Sequence, residues 1–255
     1  APQADRLVAE LGDERWANAV GSVPVAEFTI TKLAWVADHE PDVLARAARV
    51  MLPHDYITWR LCGEHVTDRG DASGTGWFDP VTDAYSAELL AVATAGAFGG
   101  ALPTVLGPTA VAGKVTAAAA AELGLPAGVI VGPGSGDNMS AALGLGLRAG
   151  DVAISLGTSG TVFAVSSTPT RDPSGAVAGF ANAGGAFLPL VCTLNATKVT
   201  DGVARWLGTD ARGLASMALS AVGDVGHALL VPYFDGERTP NLPDATGTLF
   251  GLPSH

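Results

Sequence analysis

Charged side chains are scarce in this chain of 255 residues. Asp, Glu, Lys and Arg make up only 15% of it, and the 25 acidic residues outnumber the 14 basic ones, giving a formal net charge of −11. The shortage of basic residues and the absence of a basic stripe argue against a nucleic-acid partner. The acidic balance also fits poorly with an anionic membrane surface. Since 48% of the residues are hydrophobic, the composition is too apolar for intrinsic disorder.

Cysteine is rare as well, with Cys62 and Cys192 far apart in the sequence. One disulfide is formally possible, but this usage favours two buried free thiols in a cytoplasmic protein. No apolar run reaches the length of a membrane span. The first residues are acidic and helical in pattern, and they lack the basic and apolar regions of a signal peptide. We therefore expect a cytoplasmic protein with no membrane partner.

Several common catalytic motifs are missing. The segment GPTAVAGKV superficially resembles a P-loop, but Pro108 stands where the first Gly is needed and Val115 replaces the Ser or Thr. The glycines at 144 and 146 follow an expected helix rather than a strand, which argues against a dinucleotide site. No serine has the setting of a nucleophile elbow, and neither H-E-x-x-H nor C-x-x-C occurs.

The residues that carry chemistry are concentrated in one central stretch that begins with VIV at 129–131. This short run of β-branched residues predicts a buried strand. A glycine-rich loop at 132–136 follows, and then a short helix that starts near Asp137. The Asp137 carboxylate is a good helix cap. It also stands at a strand–loop–helix corner, where α/β folds place ligands.

A second motif follows about twenty residues later in the same stretch. Strands predicted at 152–156 and 161–165 are joined by the turn Gly157-Thr158-Ser159-Gly160. The backbone N–H groups and hydroxyls of such a turn suit a phosphate, although the motif alone more often forms an ordinary β-turn. Together, a carboxylate base and a phosphate-binding hairpin are what phosphoryl transfer to a hydroxyl requires.

The first half of the chain predicts further helices and loops. One amphipathic helix is expected over residues 5–19, and a loop over residues 71–75. Asp71, Ser73 and Thr75 of this loop could line a sugar site, but a capped turn explains them equally well. His54 has no His or Cys at ligand spacing, so we interpret it as a polar loop residue rather than a metal ligand.

These segments are similar to the FGGY family of carbohydrate kinases. The carriers of the resemblance are GSGDNMSAALGLG and GDVAISLGTSGTVFAV in the central stretch, KLAWV at 32–36, LPHDY with the DASGT that follows it, and GERTP at 236–240. They cover nearly the whole chain in the order of the family. Three positions depart from the family pattern: Glu27 replaces the leading residue of the first signature, His54 stands where Lys is common, and Cys62 replaces Thr.

The resemblance implies an α/β fold with two actin-like (ribonuclease H-like) domains, both incomplete here. Residues 1–147 would be the remainder of an N-terminal sugar-binding domain, and residues 148–255 the first part of a C-terminal ATP-binding domain. Asp137 would be the base that deprotonates the sugar hydroxyl, and Asn138 would contact the sugar. Residues Ser155 to Gly160, and above all Gly157, Thr158, Ser159 and Gly160, would contact the phosphates of ATP, which is used with Mg²⁺. Related kinases often form homodimers.

The implied reaction is ATP-dependent phosphorylation of a ketopentose, D-xylulose to D-xylulose 5-phosphate. The family's D-x-G-T-x-[ST] phosphate loop and G-G-G-x-x-S adenosine loop are not found, so the chain is interpreted as the middle portion of such a kinase. Three alternatives stay open: a related kinase for ribulose, gluconate or glycerol, a catalytically silent sugar- or nucleotide-binding fragment, and, least favoured, a hydrolase that uses Asp137 as its base.

Overall fold

The computed structural model describes residues 1–221 and 227–252. These residues form a mixture of helices and strands, in agreement with the predicted α/β class. The helices are α1 (Pro2–Leu11), α2 (Asp13–Val20), α3 (Thr29–His39), α4 (Pro41–Arg46), α5 (Pro53–Cys62), α6 (Arg69–Ser73), α7 (Ala87–Thr94), α8 (Ala117–Leu123), α9 (Asp137–Gly144), α10 (Thr197–Trp206) and α11 (Ala211–Ser220). The strands are β1 (Val66–Asp68), β2 (Phe78–Asp79), β3 (Ala84–Tyr85), β4 (Thr104–Leu106), β5 (Gly113–Lys114), β6 (Ile130–Val131), β7 (Val152–Leu156), β8 (Gly160–Ala164), β9 (Ala178–Ala181), β10 (Phe187–Thr193), β11 (Leu229–Val231) and β12 (Thr248–Phe250).

The strands pair in one four-stranded sheet and several two-stranded ones. The larger sheet has the order β7-β8-β10-β9, and its outer pair β10 and β9 is antiparallel. β1 and β4 pair in parallel, so the chain between them crosses over. The remaining pairs, β2 with β3, β5 with β6 and β11 with β12, are antiparallel.

The chain divides into two compact units. Unit 1 contains residues 1–152 and 164–190, and unit 2 contains residues 153–163 and 191–255. None of the helices in the described ranges combines the length and the apolar character that a membrane crossing requires.

The core of unit 1 is centred on α3, which packs against α1 and α7. Leu7, Trp16, Val20, Ile30 and Leu89 are fully buried there. The indole Nε1 of Trp16 donates a hydrogen bond of 2.9 Å to the carbonyl oxygen of Leu7, which satisfies the polar atom of an otherwise apolar side chain. Burial of large side chains of this kind is the main source of folding free energy in the unit.

Replacing Trp16 by Ala should therefore lower the free energy of unfolding by about 3–5 kcal/mol, because the change removes a large buried side chain and leaves a cavity. Urea unfolding followed by circular dichroism measures the loss. Trp35→Ala is the matched control, because Trp35 lies on the neighbouring α3 but is 45% exposed and stacks on His39. The control substitution should lower the free energy of unfolding by less than about 1.5 kcal/mol. Equal costs for the two variants would contradict a core centred on Trp16.

The single helix predicted over residues 5–19 is wrong. The structure has α1 and α2 there, separated at Gly12 with φ 83° and ψ 148°. This backbone conformation is accessible to glycine and strained for other residues. The apolar pattern continues through the break, so the amphipathic periodicity alone did not reveal it.

The loop predicted at 71–75 is wrong for residues 71–73, because α6 runs from Arg69 to Ser73. Its first turn is capped by the Asp68 side chain, which accepts a hydrogen bond of 2.7 Å from the Gly70 amide. The hydroxyls of Ser73 and Thr75 are buried and donate to the carbonyls of Gly70 and Ala72. These two side chains therefore stabilise the local turn, in agreement with the alternative that a capped turn explains them.

The strand predicted at 129–131 exists as β6, but it is not buried. Ile130 is 64% exposed and Val129 is 42% exposed. β6 pairs along one edge with the short β5, and such a two-residue ribbon covers neither face of the strand. The β-branched run correctly indicated a strand and wrongly indicated its burial.

Candidate active site

Asp137 is the first residue of α9 and is exposed at the helix start. Gly136, not Asp137, is the N-cap residue, so the predicted role of Asp137 as the cap itself is wrong. The carboxylate nevertheless lies in the first turn, where the helix dipole favours negative charge. Its Oδ1 accepts hydrogen bonds from the backbone N of Asn138 at 2.7 Å and from the Asn138 Nδ2 at 2.9 Å.

This local arrangement leaves one side of the carboxylate accessible. Because both donors from Asn138 converge on Oδ1, Oδ2 is the atom of Asp137 that makes no hydrogen bond within the described part of the chain. The exposure of Asp137 and the partial burial of Asn138 give a fixed carboxylate that is open to a ligand hydroxyl. The structure thus brings these two residues of the predicted site together.

The predicted phosphate hairpin, Gly157 to Gly160, connects β7 to β8 in unit 2. Gly157, Thr158 and Ser159 are exposed, whereas Gly160 is buried. The Gly157 amide donates to the carbonyl of Ser159 at 2.9 Å, which closes the turn tightly. In the described residues, neither the Thr158 nor the Ser159 hydroxyl makes a hydrogen bond to the protein, so both are available to a ligand.

The carbonyl groups of this hairpin are held by the start of α10. Thr197 donates to the Gly157 oxygen from its amide at 3.0 Å and from its Oγ1 at 2.8 Å. The Ala196 amide donates to the Thr158 oxygen at 3.2 Å. Free N–H groups at a helix N-terminus require such partners. The carbonyl oxygens of Gly157 and Thr158 therefore accept hydrogen bonds from the protein, while the Thr158 and Ser159 side chains stay exposed.

Glu237 in turn fixes the residues that lead into α10. Its Oε1 accepts from the Leu194 amide at 2.5 Å and from the Arg238 amide at 2.7 Å, and its Oε2 accepts from the Asn195 Nδ2 at 2.9 Å. The side chain is only 3% exposed. Burial would by itself raise the pKa of Glu237, but the hydrogen bonds from Asn195 and from backbone amides outweigh it and hold the pKa below the usual range for a glutamate.

His54, Asp68 and Asp71 form a charged cluster in unit 1. His54 is the second residue of α5, not a loop residue as predicted. Its Nε2 lies 2.9 Å from Asp71 Oδ2 and 3.1 Å from Asp68 Oδ1, and its Nδ1 lies 3.5 Å from Asp55 Oδ1. Both ring nitrogens are shielded from solvent and, among the described residues, make no well-aligned hydrogen bond. We therefore describe these contacts as ion pairs.

The electrostatics of the cluster favour a positively charged imidazole. Burial would lower the pKa of His54, but the adjoining Asp68 and Asp71 carboxylates, with the further charge of Asp55, raise it to about 10. Three atoms of metal-ligand type lie within 4.8 Å of one another in His54, Asp68 and Asp71. The observed contacts place the imidazole of His54 between the carboxylates of Asp55, Asp68 and Asp71.

Sequence reasoning missed both the histidine cluster and the Glu237 network. Glu237 entered the sequence analysis only as part of the GERTP segment, and the preceding Asp235 forms a surface pair of 3.4 Å with Lys198. Leu194 and Asn195 lie more than about forty residues before Glu237. His54 lies on α5, whereas Asp68 ends β1 and Asp71 belongs to α6. A buried Asp68 three residues before Asp71 is the one local signal, since this spacing is typical of a helix cap.

Comparison with known families identifies both parts of the chain. Residues 1–144 match the N-terminal domain of the FGGY family of carbohydrate kinases, and residues 152–255 match the C-terminal domain of the same family. The xylulose kinase of Streptomyces rubiginosus is 50% identical over 254 residues, which are 99% of this chain and 50% of that protein. The xylulose kinase of Streptomyces coelicolor is 52% identical over 256 residues, with the same coverage. The chain thus spans about half the length of these curated relatives.

Solved structures agree with the family match. The crystal structure of xylulose kinase from Bifidobacterium adolescentis is 42% identical and superposes with a TM-score of 0.88, covering 99% of this chain and 58% of that one. The xylulose kinase from Rhodospirillum rubrum, 30% identical, also gives a TM-score of 0.88 and covers 52% of that chain. These similarities confirm the predicted actin-like kinase fold. On the family match and the structural agreement together, the chain belongs to the FGGY family of carbohydrate kinases.

Proposed function

We propose that the protein phosphorylates D-xylulose to D-xylulose 5-phosphate with ATP, using Asp137 as the general base. The observation that carries this proposal is the similarity along 99% of the chain to relatives named xylulose kinase, at 50% and 52% identity. The exposed carboxylate of Asp137 at the start of α9 supports it, because the reaction needs a base within reach of the sugar hydroxyl.

In the proposed reaction, Oδ2 of Asp137 accepts the proton of the attacking sugar hydroxyl. The sugar oxygen forms a bond to the γ-phosphorus of ATP as the bond from that phosphorus to the bridging oxygen breaks, and ADP leaves with the electron pair. Asn138 orients the base through its two hydrogen bonds to Oδ1. The carboxamide oxygen of Asn138 is the group that we assign to a sugar hydroxyl.

We assign the phosphates of ATP to Gly157, Thr158, Ser159 and Gly160. The two exposed hydroxyls and the tight turn fit an anionic ligand. When bound with ATP, Mg²⁺ supplies neutralisation of the phosphate charge. Among the described residues, the cluster of His54, Asp68 and Asp71 offers two carboxylates, but its third group is an imidazole, and Mg²⁺ prefers oxygen ligands.

We further propose that residues 1–147 belong to the sugar-binding domain and residues 148–255 to the ATP-binding domain. This boundary lies between the two family matches, which end at 144 and begin at 152. We also propose a cytoplasmic location, as expected from the rarity of cysteine. Cys62 and Cys192 are half-buried in the structure, not buried as predicted. The homodimer implied by the resemblance stays a prediction, which light scattering tests directly.

An ADP-release assay tests the proposed function. It should be run on the gene product that contains this sequence and on the 255-residue chain, each with D-xylulose, D-ribulose, gluconate and glycerol. We expect turnover of the longer product to be highest with D-xylulose. A preference for another substrate in the panel would leave the kinase assignment intact and would replace D-xylulose as the proposed substrate. No turnover with any of the four would contradict the kinase proposal and favour a silent sugar- or nucleotide-binding protein, which calorimetry with the same sugars and with ATP would detect.

A further inference from the structure

The loop that leads to Asp137 lies directly on the His54 cluster. A Cβ atom built on Gly134 would be 2.7 Å from His54 Nδ1, and one built on Gly136 would be 2.7 Å from Asp71 Oδ1. Both separations are well below the usual contact distance of about 3.5 Å between non-bonded heavy atoms. The backbone therefore touches the cluster at two points, one on each side of Ser135, and the second point immediately precedes Asp137.

Asp71 connects the histidine to this loop. Its Oδ2 contacts His54 Nε2 at 2.9 Å, while its Oδ1 faces Gly136. The other carboxylate of the cluster, Asp68, is fixed by the start of α6, whose Gly70 amide donates to it at 2.7 Å. Of the two acids, Asp71 is the more exposed, with 32% of its side chain accessible against 6% for Asp68.

Removing the positive charge would leave these carboxylates facing one another. Like charges at this separation repel strongly in a partly buried site. Since Asp68 is held by its helix-capping bonds, Asp71 is the group that would move. Its Oδ1 already lies against Gly136, so a shift of Asp71 would be transmitted to the backbone that begins α9.

We propose that His54 is a positioning residue for Asp137: it holds Asp68 and Asp71 together beneath Gly134 and Gly136 and so fixes the start of α9. The inference rests on the proposed role of Asp137 as the base. His54 itself contacts neither sugar nor nucleotide in this scheme. A displacement of about 1 Å at a catalytic group is enough to lower a rate by about a hundredfold.

The groups that face His54 are all acidic. They are Asp55 on its own helix, Asp68 at the end of β1 and Asp71 on α6. The Gly134–Gly136 segment brings no titratable side chain to the cluster. A positive charge at position 54 is thus the element that balances the cluster, and a lysine, the residue common at this position in the family pattern, should replace it in part.

Hydrogen–deuterium exchange on the 255-residue chain tests, without any substrate, whether His54 stabilises the start of α9. In His54→Gln, the hydrogen-bonded amides of residues 140–143 should exchange at least about tenfold faster, because the start of α9 loses its support. His54→Lys should return the rates to within about threefold of the wild type. Amides of α1 should not change in either variant. His39→Gln is the matched control, since His39 is exposed on α3 and stacks on Trp35.

Kinetics of the longer gene product test the consequence for catalysis. His54→Gln should lower kcat at least about tenfold. The KM for the sugar should rise by a smaller factor, because Asn138, which we assign to the sugar, also lies at the start of α9. His54→Lys should recover most of kcat. A normal kcat in His54→Gln would overturn the proposal, as would a His54→Lys enzyme that is folded yet as slow as His54→Gln. Loss of wild-type activity on treatment with a transition-metal chelator, restored by zinc, would overturn it in favour of a metal site.

The two experiments separate the two proposals. If the wild type phosphorylates none of the sugars, the proposed function fails, and the exchange comparison still decides whether His54 supports the loop. If the wild type is active and the amides of residues 140–143 exchange equally fast in all variants, the support role fails while the kinase assignment stands.

Discussion

The Asp137→Asn variant is expected to lose about 10²- to 10⁴-fold in kcat, the usual contribution of a positioned general base. The amide is close in size to the carboxylate but cannot accept the proton of the sugar hydroxyl. The hydrogen bonds from Asn138 hold the side chain in place, so sugar binding should persist. Steady-state ADP release on the longer gene product gives kcat, and calorimetry with D-xylulose gives the affinity.

Asp13→Asn is a matched control for this variant. Asp13 is an exposed carboxylate at the first position of α2 behind the N-cap Gly12, just as Asp137 follows the N-cap Gly136. Both changes remove the same favourable interaction with a helix N-terminus, so a shared loss of stability cancels between them. Unchanged turnover in Asp137→Asn would rule out the role of base. Loss of turnover together with loss of sugar affinity would instead assign Asp137 to binding.

Glu237→Ala should lower the free energy of unfolding of unit 2 by about 3 kcal/mol, because it leaves buried donors without acceptors. Those donors are the amides of Leu194 and Arg238 and the Asn195 side chain. Chemical unfolding followed by the fluorescence of Trp206, which packs edge-on against Phe234 in the same unit, measures the change. Asp235→Ala is the neighbouring control, since that carboxylate is 79% exposed and its pair with Lys198 should contribute at most about 1 kcal/mol.

The contribution of Glu237 should also depend on pH. Because its pKa in the folded state lies below that of the unfolded state, its stabilisation is fully present above the unfolded value and is lost as the pH falls through the folded one. The difference in unfolding free energy between the wild type and Glu237→Gln should thus be largest near about pH 7 and shrink below about pH 4. A difference that does not vary over this range would mean that the carboxylate charge has no part in the network.

The elements of the site that depend on neighbouring residues could be predicted from the sequence. The glycine loop, α9 and the β7–β8 hairpin were all expected near their observed positions, because the turn glycines and the β-branched runs act over a few residues. The break at Gly12 was missed for a related reason. Helical periodicity reports which face is apolar, and it does not report one backbone conformation that interrupts the helix.

The supports of the site could not be predicted in the same way. His54 was set aside as a loop residue because a histidine without neighbouring ligands carries no local signal. Its partners Asp68 and Asp71 reach it only after α5 and α6 have packed with β1. The prediction that β6 is buried was wrong because a β-branched run indicates a strand but does not indicate which residues cover it.

The support of the Gly157–Gly160 hairpin has a consequence for how the chain acquires its structure. The turn is local, but Thr197 is 40 residues beyond Gly157, and Glu237 is 43 residues beyond Leu194. Contacts of such separation require closure of long chain segments and form late in folding. During synthesis the hairpin therefore leaves the ribosome well before the residues that hold it. We therefore expect the Gly157–Gly160 turn to become rigid only after residue 237 has been made and has docked.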